Sequence, residues 1–164
     1  MSDLSVPILY DNWATEKVAE FCAALPPEQR ALTTPGTMGT IEATVIHMVA
    51  AKERYAASLR GSPPPDDAIR ETTTKDLGHV VGRSRKLSEW FATFAKGTVD
   101  LDRMLERRGA DGVVQQVPTD ILLAQFIHHG NEHRAQLGSI FGAHGIEPPH
   151  YSAFNWGHEL GKFG

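Results

Sequence analysis

The residues of this chain with the clearest chemical potential are two histidines, His129 and His133, in the stretch His129–Gln136. They are four residues apart in a segment whose apolar spacing predicts a helix, so their side chains project from one face. Two imidazoles held in this way can bind one metal ion, as paired histidines do on the helices of metalloproteases. The alternative is a pair of core histidines that are hydrogen-bonded to polar groups of neighbouring helices.

Both histidines lie in the middle of the apolar side of this predicted helix. At about 100° per residue, they share one stripe with Leu122, Phe126, Leu137 and Ile140. Two buried imidazoles need a partner for each ring nitrogen, and a metal ion meets that need directly. Their central placement therefore makes a metal site as good an interpretation as a hydrogen-bonded pair.

A third ligand has to come from another part of the chain, and His47 is the candidate. It lies at the edge of an apolar stripe in a second predicted helix, whose small residues would allow another helix to approach closely. Taken alone, His47 is better explained as a half-exposed surface histidine. The other histidines are interpreted as structural or exposed residues: His79, His128, His144, His150 and His158.

Helix breakers divide the chain into four long segments with helical periodicity. We predict helices over about Ile8–Leu25, Thr40–Leu59, Thr74–Arg108, and from Pro118 or Thr119 to near Gly142 or Gly145. The third helix could be interrupted at Gly82 or Gly97, because glycine weakens a helix interior by about 1 kcal/mol relative to alanine. The only strand-like piece, Val113–Val117, is short.

Four helices with one apolar stripe each bury those stripes most simply against one another. The sequence therefore predicts an all-α four-helix bundle, with residues 1–164 as a single domain. The C-terminal tail, His150–Gly164, is rich in aromatic residues. We expect this tail to pack back on the bundle, because exposing so many aromatic side chains would be unfavourable.

The charge pattern argues against two classes of partner, nucleic acid and anionic membranes. The net charge is −4 with a pI of about 6.0, and no run of lysine or arginine predicts binding to nucleic acid or to an anionic membrane. Arg103, Arg107 and Arg108 are offset by neighbouring acidic residues and are expected on a solvated helix face. Without an apolar stretch of about 20 residues or a signal-peptide pattern, we expect a cytoplasmic location. The single cysteine, Cys22, is expected to pack as a small apolar residue.

The stretch His129–Gln136, with the pattern His-x-x-x-His-Arg-Ala-Gln, resembles the last helix of the DinB/YfiT-like superfamily of metalloenzymes. The segment Gly39–Val49 is similar to the helix that carries the superfamily's other metal histidine, and Tyr10–Ala14 resembles its opening helix. The ending Phe154–Gly157 is similar to the aromatic-glycine ending of many members. Together these segments span nearly the whole chain, although Ala135 stands where the superfamily commonly has glycine.

The resemblance implies a four-helix bundle, often a homodimer, with a divalent metal ion such as zinc or nickel bound by His47, His129 and His133. Three imidazoles leave at least one coordination position open, which is typical of a catalytic metal site. The outer ring nitrogen of each ligand should donate to an acceptor. The candidate acceptors are Gln125, Gln136, Asn12 and Glu53.

The leading hypothesis is a metal-dependent enzyme that acts on a small molecule, because some relatives look like thiol transferases and others look like hydrolases. The alternative is a non-catalytic dimeric stress-response or binding module, in which the metal site is structural or vestigial. Catalysis by a serine or cysteine nucleophile has little support, because the sequence has no Gly-x-Ser-x-Gly elbow and Cys22 has no predicted histidine partner.

Overall fold

A computed structural model describes residues 4–66, 68, 71, 76–108 and 111–163. The chain is mostly helical, as predicted, and it also contains a small antiparallel sheet. In chain order the elements are α1 (Ser5–Ala24), α2 (Pro27–Arg30), α3 (Ile41–Arg60), α4 (Leu77–Phe94), β1 (Met104–Arg108), β2 (Val114–Pro118), α5 (Thr119–Ala143) and α6 (Ala153–Glu159).

Local sequence signals account for the ends of the helices. Helix α3 begins after Thr40, whose hydroxyl oxygen accepts a hydrogen bond from the backbone N–H of Ala43 at 3.1 Å. It ends at Gly61, which has a left-handed φ of 68° that favours glycine. Helix α4 begins after Asp76, whose side chain accepts from the N–H of Gly78 at 2.9 Å. The predicted start at Thr74 lies outside the described residues.

The end of the predicted third helix is instead the first strand of a β-hairpin, so the all-α class has to be corrected. The second strand overlaps Val113–Val117, the piece that the sequence indicated as strand-like. Helix α4 ends at Phe94, and Met104–Arg108 pairs with Val114–Pro118 in an antiparallel register. The side chain of Leu105 is only 3% exposed, whereas Met104 is 54% exposed. Because of this alternation, one face of the hairpin is anchored in the core. Arg107 and Arg108, which were expected on a helix face, lie on the first strand instead.

The four long helices pack against one another around an apolar core. Helix α1 contacts α3, α4 and α5, and helix α3 also contacts α4, α5 and strand β1. Short α6 rests on α1, where the indole N–H of Trp13 donates to the Glu159 carboxylate at 3.0 Å. Within the described ranges, no helix is both long enough and apolar enough to cross a membrane.

Buried charges join α1, α3 and α5 inside this core. The Asp11 carboxylate is 2.7 Å from Lys52 Nζ and 2.6 Å from Arg134 Nη1, and all three side chains are buried. Arg134 Nη1 also donates to the Thr15 hydroxyl at 2.9 Å. Burial lowers the pKa of Lys52, and the ion pair with Asp11 opposes this shift. Because a buried charge without a partner is very unfavourable, the cluster constrains how the three helices pack.

Candidate metal centre

The imidazoles of His47, His129 and His133 meet between helices α3 and α5. His47 Nε2 lies 3.0 Å from His129 Nε2, and His133 Nε2 lies 3.2 Å from the same atom. The candidate ligand atoms of all three residues lie within 4.8 Å of one another. The structure thus brings together the three histidines that the sequence singled out, and these residues could hold a metal ion.

Local helix geometry and helix packing each account for part of this arrangement. His129 and His133 are one turn apart on α5, and their ring centroids are 4.4 Å apart. His47 comes from α3, which packs directly against α5. The side chain of His133 is buried, and those of His47 and His129 are partly buried. The centre therefore lies at the edge of the core.

Hydrogen bonds to the outer ring nitrogens set the tautomers of two of the rings. His47 Nδ1 lies 2.9 Å from Glu71 Oε2 and His133 Nδ1 lies 2.9 Å from Gln136 Oε1. Carboxylate and amide oxygens can only accept hydrogen bonds, so both Nδ1 atoms donate. In the neutral rings the lone pair is then on Nε2, which faces the centre. Metal-binding histidines commonly have this arrangement.

The Nε2 atoms have both the chemistry and the spacing for a shared cation. The lone pairs of His47 and His133 both point at His129 Nε2, which carries at most one proton to donate. Two nitrogen ligands of a tetrahedral ion at about 2.1 Å are separated by roughly 3.4 Å. The separations of 3.0 and 3.2 Å are within a few tenths of an ångström of this value.

The environment favours the neutral form of His129 and His133, which is the protonation state that binds metal. Burial, with a smaller contribution from the neighbouring His133 and His47, lowers the pKa of His129 to about 3. Burial also lowers the pKa of His133, against the opposing effect of its hydrogen bond with Gln136.

Glu71 is the site residue that sequence analysis missed. Its Oε1 accepts from Arg54 Nη1 at 2.7 Å, while its Oε2 accepts from His47. Burial raises the pKa of Glu71, but the hydrogen bonds from His47 and Arg54 outweigh that effect, so its pKa lies below the usual value. Glu71 has a φ of 53°, which is uncommon for a residue other than glycine. No periodic spacing connects Glu71 to the helical histidines, so the sequence contains no signal for this contact.

The four predicted acceptors lie in different places. Gln136 contacts His133, and its Oε1 also accepts from the backbone N–H of Met38 at 3.3 Å. Gln125 is hydrogen-bonded to the Tyr55 hydroxyl, one turn of α5 away from His129. Asn12 donates to the carbonyl of Ile8 at 2.8 Å, and Glu53 accepts from Arg83 Nε at 2.8 Å. The described contacts of Asn12 and Glu53 are therefore with groups other than the three imidazoles.

Comparison with known proteins places the chain in a family. The sequence profile of the DinB family matches residues 1–158. This chain belongs to the DinB family. The match confirms the resemblance that the histidine stretch and the opening helix suggested, and it extends over nearly the whole sequence.

The DinB fold is also found in a solved structure. A DinB-like protein from Bacillus cereus ATCC 10987, whose crystal structure was determined at 2.01 Å, matches with a TM-score of 0.61 and 19% sequence identity. The match covers 84% of this chain and 90% of that chain. No curated protein sequence shows a significant match. At this identity the structural match shows a common fold and carries no information about the reaction.

Proposed function

We propose that this DinB-family protein is a metal-dependent enzyme that acts on a small molecule, and that His47, His129 and His133 bind a divalent ion. The observation that carries the proposal is the convergence of three Nε2 atoms, with the outer nitrogens of His47 and His133 held by Glu71 and Gln136. Zinc and nickel both suit an all-imidazole site.

Three protein ligands favour a catalytic role over a structural one, because they leave room for a further ligand. A divalent ion in such a site supplies Lewis acidity, which lowers the pKa of a coordinated water or thiol or polarises a carbonyl group. The protein's contribution is to hold the imidazoles in position. Glu71 fixes His47, Gln136 fixes His133, and the Tyr55 ring packs edge-on against His129 with centroids 5.9 Å apart. This chemistry fits a thiol transferase or a hydrolase.

The alternative is a non-catalytic module whose metal site is structural or vestigial. The observation in its favour is that Glu71 and Gln136 hold the outer nitrogens of His47 and His133, and that His129 Nε2 can donate its one proton to one of the two Nε2 atoms that face it. This arrangement could persist without an ion. Thermal unfolding with and without a strong chelator separates these cases, because loss of a structural ion lowers the melting temperature sharply.

Metal analysis of protein purified without an affinity tag or chelator tests the proposal. We expect about one ion per chain in the wild type and a large loss in His47→Ala, His129→Ala and His133→Ala. The matched control is His128→Ala, because the neighbouring His128 side chain is 70% exposed and points to Glu132. The metal proposal fails if the wild type lacks a stoichiometric ion or if all three variants retain it.

An activity screen addresses the reaction class. Low-molecular-weight thiols combined with electrophilic acceptors test transfer, and simple esters and amides test hydrolysis. We expect turnover that is lost in His47→Ala and retained in His128→Ala. If the metal-loaded protein shows no turnover in either screen and its melting temperature falls sharply on chelation, the non-catalytic alternative is supported.

The remaining sequence-based expectations stay proposals. We propose that the four long helices form one four-helix bundle within a single domain of residues 1–164, and that the protein is a homodimer in the cytoplasm. Light scattering coupled to size-exclusion chromatography measures the assembly. A mass of one chain, about 18.0 kDa, would contradict the dimer.

A further inference from the structure

A pocket of about 300 Å³ lies between the hairpin and the first turns of α5. Its lining comes from both elements and consists of Arg107, Gln115, Val117, Ile121, Leu122 and Gln125. A volume of this size is at the lower end of the range for small-molecule sites, about 300–1,000 Å³. The pocket exists because the hairpin, of which the sequence indicated only the second strand, folds against the start of α5.

The pocket lies next to the candidate metal centre. Gln125 precedes His129 by four residues on α5, which corresponds to about 6 Å along the helix axis. Tyr55 links the two places, because its ring packs against His129 and its hydroxyl is hydrogen-bonded to Gln125. The pocket and His129 are therefore about one helical turn apart on the same face of α5.

The lining of the pocket combines one positive charge with an apolar floor. Arg107 is the charged residue of the lining, and its Nη1 donates to a neutral partner, Gln115 Oε1, at 3.2 Å. Val117, Ile121 and Leu122 supply apolar surface, and Ile121 is 56% exposed.

Strand alternation keeps Glu106, the acidic neighbour of Arg107 in sequence, away from this pocket. Glu106 and Arg108 flank Arg107 on β1, and successive side chains of a strand point to opposite faces. Both of these residues line a different pocket, with Arg54 and Ser58 of α3. Arg107 therefore presents its guanidinium to the first pocket without a carboxylate from the lining to neutralise it.

We propose, on the basis of the metal-dependent function above, that this pocket binds the distal end of the substrate and that Arg107 determines specificity for an anionic group there. The substrate class is a small molecule with an apolar body and a terminal carboxylate or phosphate. A guanidinium pairs with either anion through parallel hydrogen bonds. The apolar body lies on Val117, Ile121 and Leu122, and the reacting end extends towards His129.

Titration of the metal-loaded protein with 3-phenylpropanoate, followed by NMR of the backbone amides, tests the assignment. Phenyl phosphate tests a terminal phosphate in place of the carboxylate. 3-Phenylpropanamide is the neutral control, with the same apolar body as 3-phenylpropanoate. We expect both anions to shift the amides of Val117, Ile121 and Gln125, and to bind about ten-fold more tightly than the amide.

Two variants of adjacent arginines make the matched comparison. Arg107→Gln should weaken binding of the anions about ten-fold and leave the neutral amide unchanged. Arg108→Gln removes the same charge from the opposite face of the strand and should change none of these affinities. Arg107→Lys, which keeps the charge, should retain part of the affinity and guards against a folding defect in Arg107→Gln.

Repeating the titration on chelator-treated protein separates this inference from the proposed metal function. Anion binding that persists without metal and depends on Arg107 supports the pocket even if no metal activity is found. Anion binding that requires the metal and is equal in wild type and Arg107→Gln overturns the pocket assignment. The assignment also fails if the anions and the neutral amide bind equally well.

Discussion

Replacement of Gly130 by alanine tests whether the buried charges fix the position of α5 against α1. Gly130 lies on α5 directly after His129, at the point where the Asp11 carboxylate approaches the helix backbone. A Cβ added at residue 130 would lie well inside van der Waals contact of Asp11 Oδ1, 2.9 Å from Oδ2 and 3.0 Å from Arg134 Nη1. Most Cβ contacts are longer than 3.4 Å, so the carboxylate has to move.

The expected cost follows from what this carboxylate contacts. Asp11 is ion-paired to both Lys52 and Arg134 in the core, so any displacement of its oxygens weakens two buried pairs. Overpacking costs about 1–3 kcal/mol, and breaking a buried pair outright costs about 3–5 kcal/mol. Alanine recovers about 1 kcal/mol through its higher helix propensity. If the displacement breaks one of the two pairs, the cost of that pair minus the propensity gain leaves a net loss of about 2–4 kcal/mol in the free energy of unfolding.

Urea denaturation followed by circular dichroism measures this loss, and Gly138→Ala is the matched control. Gly138 lies two turns further along α5, where an added Cβ would make an ordinary contact of 3.6 Å with the Tyr151 hydroxyl. The control should be unchanged or up to about 1 kcal/mol more stable. If Gly130→Ala is as stable as Gly138→Ala, the Asp11 carboxylate does not constrain α5 in the way proposed here.

The contacts and burial of Glu71, Cys22 and Leu105 give four further predictions. Glu71→Ala should weaken zinc binding by roughly 10- to 100-fold, since His47 loses the acceptor that orients its ring; competition with a chromophoric chelator measures this affinity. Native Cys22 should not react with Ellman's reagent at about pH 8, because burial raises its thiol pKa from 9.0 to about 12. Between these two pKa values the folded state keeps a proton that the unfolded state loses, so the free energy of unfolding of the wild type falls as the pH rises. Cys22→Ala lacks this thiol and should lose less stability over the same pH range. Leu105→Ala should cost about 2–5 kcal/mol in urea denaturation, because this buried side chain anchors the hairpin.

Each of these predictions has an internal control. The control for Glu71→Ala is Glu89→Ala, which removes an exposed carboxylate from α4 and should leave the zinc affinity unchanged. Equal zinc affinities of the two variants would contradict the role of Glu71. For Cys22, the control is protein unfolded in urea, in which one thiol per chain should react with Ellman's reagent. Rapid reaction of the native protein would contradict the prediction, because it would show that the Cys22 thiol is accessible. Met104→Ala truncates an exposed neighbour of Leu105 on the same strand. An equal loss of stability in the two strand variants would mean that the hairpin is not anchored in the core.

Local features of the sequence predicted most of the helical structure and one half of the candidate site. Thr40 and Gly61 mark the two ends of α3, and the last helix, predicted to start at Pro118 or Thr119, begins at Thr119. The pair His129 and His133 needed only helical periodicity, because residues four apart always share a face. These features depend on interactions within a few residues, which is why a single sequence reveals them.

Only the second strand of the hairpin, which overlaps the strand-like piece Val113–Val117, could be recognised in this way. Met104–Arg108 has no strong strand pattern of its own, and it becomes a strand because Val114–Pro118 pairs with it and the core accepts Leu105. Strand pairing is a tertiary contact, and its stability depends on packing rather than on intrinsic propensity. The pocket around Arg107 follows from the same contacts.

The histidine spacing, the two ends of α3 and the family were determined by the sequence itself. Only the tertiary structure decided that His47, 82 residues before His129, points at the same place. It also decided that Glu71, from a segment without periodicity, holds the outer nitrogen of His47. The physical reason is that the direction of a side chain across a helix interface depends on how the helices pack. Here that packing is constrained by the buried charges of Asp11, Lys52 and Arg134.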